Sequence, residues 1–107
     1  APGGGQLKVG GGLGGATISK WQHVMGTPVD GIISHPRSSL VVAVQNRLNS
    51  EGAGLNVDGA GIVQDNRKYL TVAALQRHLG TPVDGVLSTP SSQAIRALQT
   101  RLNQNRF

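Results

Sequence analysis

Five acidic residues are the first candidates for chemistry, since two carboxylates can hydrolyse a glycosidic bond and several can bind calcium. Three of them, Asp30, Asp58 and Asp84, stand directly before a glycine. Aspartate accepts hydrogen bonds from the backbone of a turn and glycine tolerates a positive φ, so the pair is typical of turns. The sequence lacks the alternating oxygen ligands of a calcium loop. We therefore interpret the three aspartates as structural and expect no catalytic residue and no cofactor.

The three histidines lack the spacing of a zinc site, and the chain contains no cysteine. His23 and His78 fall on predicted helices away from the apolar positions, so we expect both at the surface. His35 stands in a loop close to Arg37, and these two residues are candidate ligand contacts. The sequence therefore predicts no metal site.

Arg47 and Arg101 are candidate anion-binding residues, because they recur at one position near the ends of two predicted helices. A guanidinium at that position can stabilise the helix dipole, or it can bind a carboxylate or phosphate through its planar fork. The sequence supports both roles equally. Tyr69 lies in a polar segment beside Arg67 and Lys68, which makes Tyr69 and Arg67 further candidate ligand contacts.

Glutamine also recurs within the predicted helices, at positions Gln22, Gln45, Gln76 and Gln99. These side chains either bond the Asp-Gly turns or line a cleft. Because one amide pairs with both a backbone donor and a backbone acceptor, we expect them to bond the turns.

These recurrences belong to an internal duplication with a step of 54 positions. The hexapeptide Gly-Thr-Pro-Val-Asp-Gly at 26–31 returns unchanged at 80–85, and matches such as Asn49 with Asn103 continue on either side. A fixed-period duplication predicts two copies of one structural unit, each too small to bury a core alone.

Each copy begins with a predicted helix that a glycine ends. The first helix is expected from Thr17, as its N-cap, to Met25, and the third helix from about Thr71 to Leu79. Trp21 falls on the apolar face of the first helix, with Ile18 and Met25, which favours a place in the core over a role as an exposed sugar-stacking surface.

A second helix in each copy follows the hexapeptide. Proline suits the first position of a helix, so we expect these helices to start near Pro36 and at Thr89-Pro90. The sequence thus predicts an all-α fold, in which two tandem helix–turn–helix repeats pack as one small pseudo-symmetric helical bundle.

The predicted domain organisation places a Gly-rich flexible linker at 1–15 before a duplicated domain at 16–107. Repeat 1 covers about 16–50, a connector 51–70, and repeat 2 about 71–103. The net charge of +5 favours anionic partners, although it also serves solubility. No apolar run is long enough to span a bilayer, so no membrane partner is expected.

A family resemblance rests on the order of these motifs. Leu-Gln-x-x-Leu-Gly stands at 75–80, Val-Asp-Gly at 83–85, and Leu-Gln-x-x-Leu-Asn at 98–103, with Leu-Asn-Val-Asp-Gly at 55–59 between the copies. The pattern resembles the peptidoglycan-binding-like helical modules of wall hydrolases. More closely, it is similar to the C-terminal cell-wall-binding domain of phage endolysins and lysozymes that act on actinobacterial walls. The first copy departs from it with Trp21-Gln22 in place of Leu-Gln.

The resemblance implies a non-catalytic module that binds peptidoglycan or an associated anionic wall polysaccharide. It also implies a parent chain whose N-terminal catalytic domain is a peptidoglycan hydrolase. Such a phage-encoded protein is made in the host cytoplasm and acts at the host cell wall, or is otherwise extracellular. The glycine-rich segment and the duplication accord with a tethered binding module.

The alternative function is that of a basic helix-turn-helix domain that binds nucleic acid. The net charge favours it, but the Lys and Arg residues are scattered along the chain. We therefore expect no nucleic-acid partner. A small enzyme is a third class, for which the sequence shows neither a nucleophile–base pair nor a metal signature.

Overall fold

The computed structural model describes residues 6–107, and the first part of the predicted linker, 1–5, lies outside them. Its four helices are α1 (Gly15–Met25), α2 (Ser39–Ser50), α3 (Leu70–Leu79) and α4 (Gln93–Asn103). Residues 6–107 contain no β-strand, and one isolated bridge joins Lys68 to Val86. The predicted all-α class is confirmed. No described helix is long and apolar enough to cross a membrane.

The helices pack as two equivalent pairs. Within the copies α1 packs against α2 and α3 against α4, and between the copies α1 contacts α4 and α2 contacts α3. The core between them is aliphatic apart from Trp21 and Phe107. Trp21 is fully buried, which confirms its place in the core, and its indole Nε1 has no hydrogen-bond acceptor in the described part of the chain.

The ends of α1 and α3 follow the prediction. Gly26 and Gly80 take left-handed φ values of 74° and 73°. The next residue then donates its N–H back into the helix, from Thr27 to Gln22 O at 3.0 Å and from Thr81 to Gln76 O at 3.1 Å. A glycine at this position ends a helix because it adopts the left-handed conformation without a steric penalty.

The predicted starts of α2 and α4 are wrong, because serine rather than proline or threonine caps these two helices. Ser38 and Ser92 are the N-caps of α2 and α4, and their hydroxyls accept from Val41 N at 3.2 Å and Ile95 N at 3.3 Å. A hydroxyl oxygen satisfies a first-turn N–H that has no partner within the helix. Thr17 is likewise not a cap, since it lies within α1 and its hydroxyl is a buried hydrogen-bond acceptor.

Residues 6–14, here called the strap, differ from the expected flexible linker because they are bonded to α4. Leu7 N donates to Asn103 Oδ1 at 2.6 Å, and Asn103 Nδ2 donates to Leu7 O at 3.0 Å. The connector makes the same pair, with Leu55 on Asn49 of α2 at 2.6 and 2.9 Å. The strap is therefore hydrogen-bonded to α4 in the same way as residues 55–61 are bonded to α2. A glycine-rich segment can be anchored in this way because its bonds use backbone groups.

Candidate ligand-binding clefts

Glutamine clamps hold the two copies of the hexapeptide turn. In the first clamp Gln22 Oε1 accepts from Asp30 N at 3.0 Å and from Gly31 N at 2.9 Å. Its Nε2 donates to Asp30 Oδ1 at 2.8 Å and to Ile32 O at 3.1 Å. Gln76 repeats all four bonds on the turn at 84–86. One amide thus fixes both the backbone and the carboxylate of each turn.

Two more clamps join the copies to each other. Gln45 Oε1 accepts from Gly59 N at 2.9 Å, and its Nε2 donates to Asp58 Oδ1 at 3.0 Å and Ala60 O at 2.9 Å. Gln99 does the same on the strap, accepting from Gly11 N at 3.0 Å and donating to Gly12 O at 3.1 Å. The expectation that the glutamines bond the Asp-Gly turns is confirmed for Gln22, Gln45 and Gln76, whereas Gln99 bonds the strap. In the strap, Gly10 occupies the position of the turn aspartate.

The turn aspartates are structural, as predicted. Each Oδ1 accepts from its glutamine and from the N–H two residues ahead, at Ile32, Ala60 or Val86, all at 3.0 Å. The glutamine amide chiefly holds the pKa of each of these three carboxyls below its ordinary value of 3.8, and the backbone N–H lowers it further. Within residues 6–107 no three His, Asp or Glu side chains lie together as metal ligands would.

The two remaining acids are also engaged. Asp65 Oδ2 accepts from the Tyr69 hydroxyl at 2.6 Å, which lowers the pKa of Asp65 and raises that of Tyr69. Glu51 accepts from Arg47 Nε at 3.2 Å, and its Oε1 lies 2.7 Å from His78 Nδ1, a contact that chiefly lowers the pKa of Glu51.

His78 is not at the surface, contrary to the prediction, whereas His23 is exposed as expected. The His78 side chain is 7% exposed because Glu51 and Phe107 cover it. Its Nε2 lies 2.9 Å from Phe107 O, and its ring stacks on the Phe107 ring with the centroids 4.3 Å apart. The sequence pattern of α3 carries no sign of these partners, since both come from outside the helix.

One cleft of about 440 Å³, the arginine cleft, lies at the ends of α1, α2 and α4. It is lined by Val24, Met25, Arg47, Arg101, Asn105, Arg106 and Phe107. The structure thus brings together the candidates Arg47 and Arg101, which the sequence related only by the repeat. It adds Arg106 and Phe107, which have no counterpart motif in the sequence.

The two repeated arginines have different surroundings in this cleft. Arg101 donates to Phe107 O at 2.9 Å and to His78 O at 3.4 Å, so it ties the C-terminal segment to α3. The Arg47 guanidinium carbon lies 5.9 Å from the Phe107 ring centroid, and its Nε bonds Glu51. Both arginines also lie in the last turn of a helix, where the dipole favours a cation.

A second cleft of about 520 Å³, the tyrosine cleft, lies between the connector and the start of α3. Its lining combines apolar, amide and charged side chains: Ala53, Leu55, Asn56, Asp58, Ala60, Lys68, Tyr69, Leu70, Thr71 and Arg77, with Gly54 and Gly61. Leu70 on its rim is 83% exposed. A concave apolar surface with a few polar groups is the usual form of a small-ligand site.

A third cleft of about 420 Å³, the glycine cleft, occupies the matching place in the first copy, between the strap and α1. Along the strap Leu7, Lys8, Gly10 and Gly12 line it where Leu55, Asn56, Asp58 and Ala60 line the tyrosine cleft. At the start of the helix, Gly15 and Ala16 stand where the second copy has Tyr69 and Leu70, 54 positions on. The same backbone geometry is therefore built twice, with small residues at the start of the helix in the first copy.

Of the remaining candidates, only Tyr69 lines one of these clefts. Tyr69 lines the tyrosine cleft, whereas Arg67 next to it is exposed and lines none of the three. His35 and Arg37 are exposed in the loop before α2. The pKa of Asp58 is lowered chiefly by the Gln45 amide, and the charge of Arg37 contributes to the same shift. Sequence reasoning did not name Leu70, Lys68 or Arg77 as site residues. The contrast between Leu70 and Ala16 in the aligned copies was the signal for Leu70.

Neither a family model, nor a curated protein, nor a solved structure matches this chain. The resemblance to cell-wall-binding modules accordingly rests on the sequence motifs alone.

Proposed function

We propose that this chain is a non-catalytic cell-wall-binding module that holds an attached peptidoglycan hydrolase at the bacterial envelope. The ligand class is peptidoglycan or an associated anionic wall polymer. The parent protein would be a phage endolysin that acts at the wall of its host.

The observation that supports binding over acid–base catalysis is the distribution of charge partners. All five acidic side chains have hydrogen-bond partners within the chain. Of the ten Lys and Arg residues, only Arg47 forms an ion pair with a carboxylate in residues 6–107. The carboxylates are thus committed to holding turns and loops, while most cations remain available to an anionic polymer.

The geometry between the helices argues against the nucleic-acid alternative. A DNA-binding helix-turn-helix joins its two helices by a turn of about three or four residues. Here the loops that join α1 to α2 and α3 to α4 run from 26 to 38 and from 80 to 92, thirteen residues each. A glutamine clamp holds each loop against the preceding helix.

A tethered module of this kind would act by raising the local concentration of the hydrolase at an insoluble substrate. Two related clefts on one scaffold allow either one or two contacts with a repetitive polymer. Attachment without chemistry is therefore sufficient for the proposed role.

The test is co-sedimentation of a fluorescent-protein fusion with purified actinobacterial walls. We expect enrichment over the fluorescent protein alone, and loss of enrichment on the fraction from which the bound polymer has been stripped. Absence of enrichment on every wall fraction at low and moderate salt would refute the proposal.

Duplex DNA provides the contrasting measurement. Phosphate contacts make affinity fall steeply with salt. A steep salt dependence with duplex DNA, together with no wall binding, would establish the nucleic-acid alternative instead.

A further inference from the structure

We infer that the tyrosine cleft is the ligand site of this domain and that it binds a short peptide carrying carboxylates and small aliphatic side chains. This inference rests on the proposed function, and it identifies the ligand of the domain as the stem peptide of peptidoglycan. It also implies that the glycine cleft is a copy of this site in which Gly14, Gly15 and Ala16 replace Lys68, Tyr69 and Leu70.

The duplication supplies an internal comparison for the cleft. The clamp beneath each cleft is the same, with Gln45 bonded to Thr71 Oγ1 at 3.1 Å and Gln99 bonded to Thr17 Oγ1 at 3.0 Å. The glycine cleft shows that this geometry forms with Gly15 and Ala16 at the start of the helix. The fold therefore does not require the large side chains that the second copy carries at these positions.

Leu70 is the clearest of these side chains. It is the most exposed large apolar residue in residues 6–107, at 83%, and it follows the N-cap Tyr69 directly. An isolated exposed leucine is ordinary. On the rim of a cleft that also contains Leu55 and Tyr69, however, it extends one apolar wall.

Two cations complete the site. Lys68 precedes Tyr69 and Arg77 lies on the exposed face of α3, and both line the cleft. Neither side chain makes a hydrogen bond to a described residue. The only carboxylate in the lining, Asp58, has its Oδ1 bonded to Gln45 and Ala60 N. The lining thus has an excess of positive charge, which suits a ligand with carboxylates.

The apolar lining favours a peptide over a sugar. Sugar sites commonly stack the sugar on aromatic side chains, and Tyr69, which is half-buried, is the only aromatic residue in this lining. The remaining apolar groups are the side chains of Ala53, Leu55, Ala60 and Leu70, which suit methyl groups. Stem peptides combine alanine methyl groups, which suit the apolar side chains of the lining, with free carboxylates, which suit its two cations.

The test is an NMR titration of the ¹⁵N-labelled domain with the tetrapeptide L-Ala-γ-D-Glu-L-Lys-D-Ala. We expect saturable shifts in the amides of residues 54–61 and 68–71, and none in the glycine cleft. Chitotetraose serves as the saccharide probe. No saturable shift with the peptide, shifts confined to another surface, or tighter binding of the saccharide in this cleft would overturn the inference.

Variants connect the shifts to the residues. Leu70→Ala installs the residue of the first copy, and Lys68→Gln removes one cation. We expect each to weaken peptide binding by about tenfold, since losing one leucine contact or one charged contact is of that order. Arg96→Gln on the exposed face of α4 is the matched charge control and should bind as the parent does. Unchanged affinity in both cleft variants would overturn the inference.

Sedimentation of the same variants with walls separates the two proposals. If the parent binds walls and Leu70→Ala binds equally well, the wall-binding function stands and the peptide site is wrong. If the parent binds no wall fraction, the function fails, and the peptide titration alone decides whether the cleft is a peptide site.

Discussion

Replacement of Gln76 by leucine should lower the stability of the fold more than replacement of any exposed residue on the rim of a cleft, because the Gln76 amide makes four hydrogen bonds. It accepts from the N–H groups of Asp84 at 3.0 Å and Gly85 at 2.8 Å, and it donates to Asp84 Oδ1 at 2.8 Å and Val86 O at 3.1 Å. Leucine has a similar volume and cannot make any of these bonds. The change therefore isolates the hydrogen bonds from the packing.

The magnitude follows from which groups water can reach after the change. Asp84 is exposed, so its carboxylate can bond to water again, whereas Gly85 is buried and its N–H would lose its acceptor. An unsatisfied buried donor costs about 1–3 kcal/mol, and the partly exposed bonds add about 1 kcal/mol together. We expect Gln76→Leu to lower the free energy of unfolding by about 2–4 kcal/mol, out of the roughly 5–15 kcal/mol typical of a domain.

The measurement is urea unfolding followed by far-UV circular dichroism and by the fluorescence of the buried Trp21. Gln22→Leu is the matched variant, since Gln22 makes the same four bonds on a turn whose Gly31 is only half-buried. It should cost less, about 1–2 kcal/mol. Gln93→Leu, at an exposed helix position, should change stability by no more than about 0.5 kcal/mol. The reasoning is refuted if Gln76→Leu is as mild as Gln93→Leu, or if Gln22→Leu costs more.

Three further predictions concern the turns. Gly10→Asp should raise the free energy of unfolding by about 0.5–1 kcal/mol, because a Cβ at Gly10 would meet no atom within 4 Å and the carboxylate can accept from Gln99 as Asp58 does from Gln45. A lower urea midpoint would contradict this. The carboxyl pKa values of Asp30, Asp58 and Asp84 are lowered in the folded protein, so we expect their stabilisation of the fold to be complete above about pH 4. It should be lost as the pH falls below 3.8, the ordinary aspartate value, and through the lower folded pKa values. Urea midpoints at pH 6 and pH 2.5 check this, and equal midpoints would refute it. Asp84→Asn should lower the stability of the fold and leave wall binding by the folded protein intact, since the Asp84 carboxylate bonds the turn. A variant that keeps the parent's urea midpoint but no longer sediments with walls would contradict this.

Sequence reasoning succeeded where one residue type determines the local structure. Gly26 and Gly80 end their helices because glycine alone adopts the left-handed conformation cheaply. The glutamines could be assigned to the turns because an amide offers both a donor and an acceptor. Trp21 could be placed in the core because its neighbours at helical spacing are apolar.

Sequence patterns did not reveal structure that depends on a contact with a residue far along the chain. The strap is glycine-rich, and its backbone groups bond Asn103 and Gln99 some 90 positions away, which composition does not reveal. His78 is buried by Phe107 for the same reason. The starts of α2 and α4 differ from the prediction because proline is favoured at a first helical position, whereas a serine hydroxyl supplies an actual hydrogen bond to the first turn. The clefts needed the structure because their walls come from two or more segments.

The strap also has a consequence for the order in which the molecule folds. The hexapeptide clamps join residues 8–10 positions apart, so they close small loops, whereas Leu7 and Asn103 are separated by 96 positions. Loop closure costs entropy that rises with separation, which favours late formation of the longest-range contacts. Strap contacts should thus be largely missing from the folding transition state. Gly10→Asp should then slow unfolding while leaving the folding rate almost unchanged, and stopped-flow measurement of both arms of the chevron would show it.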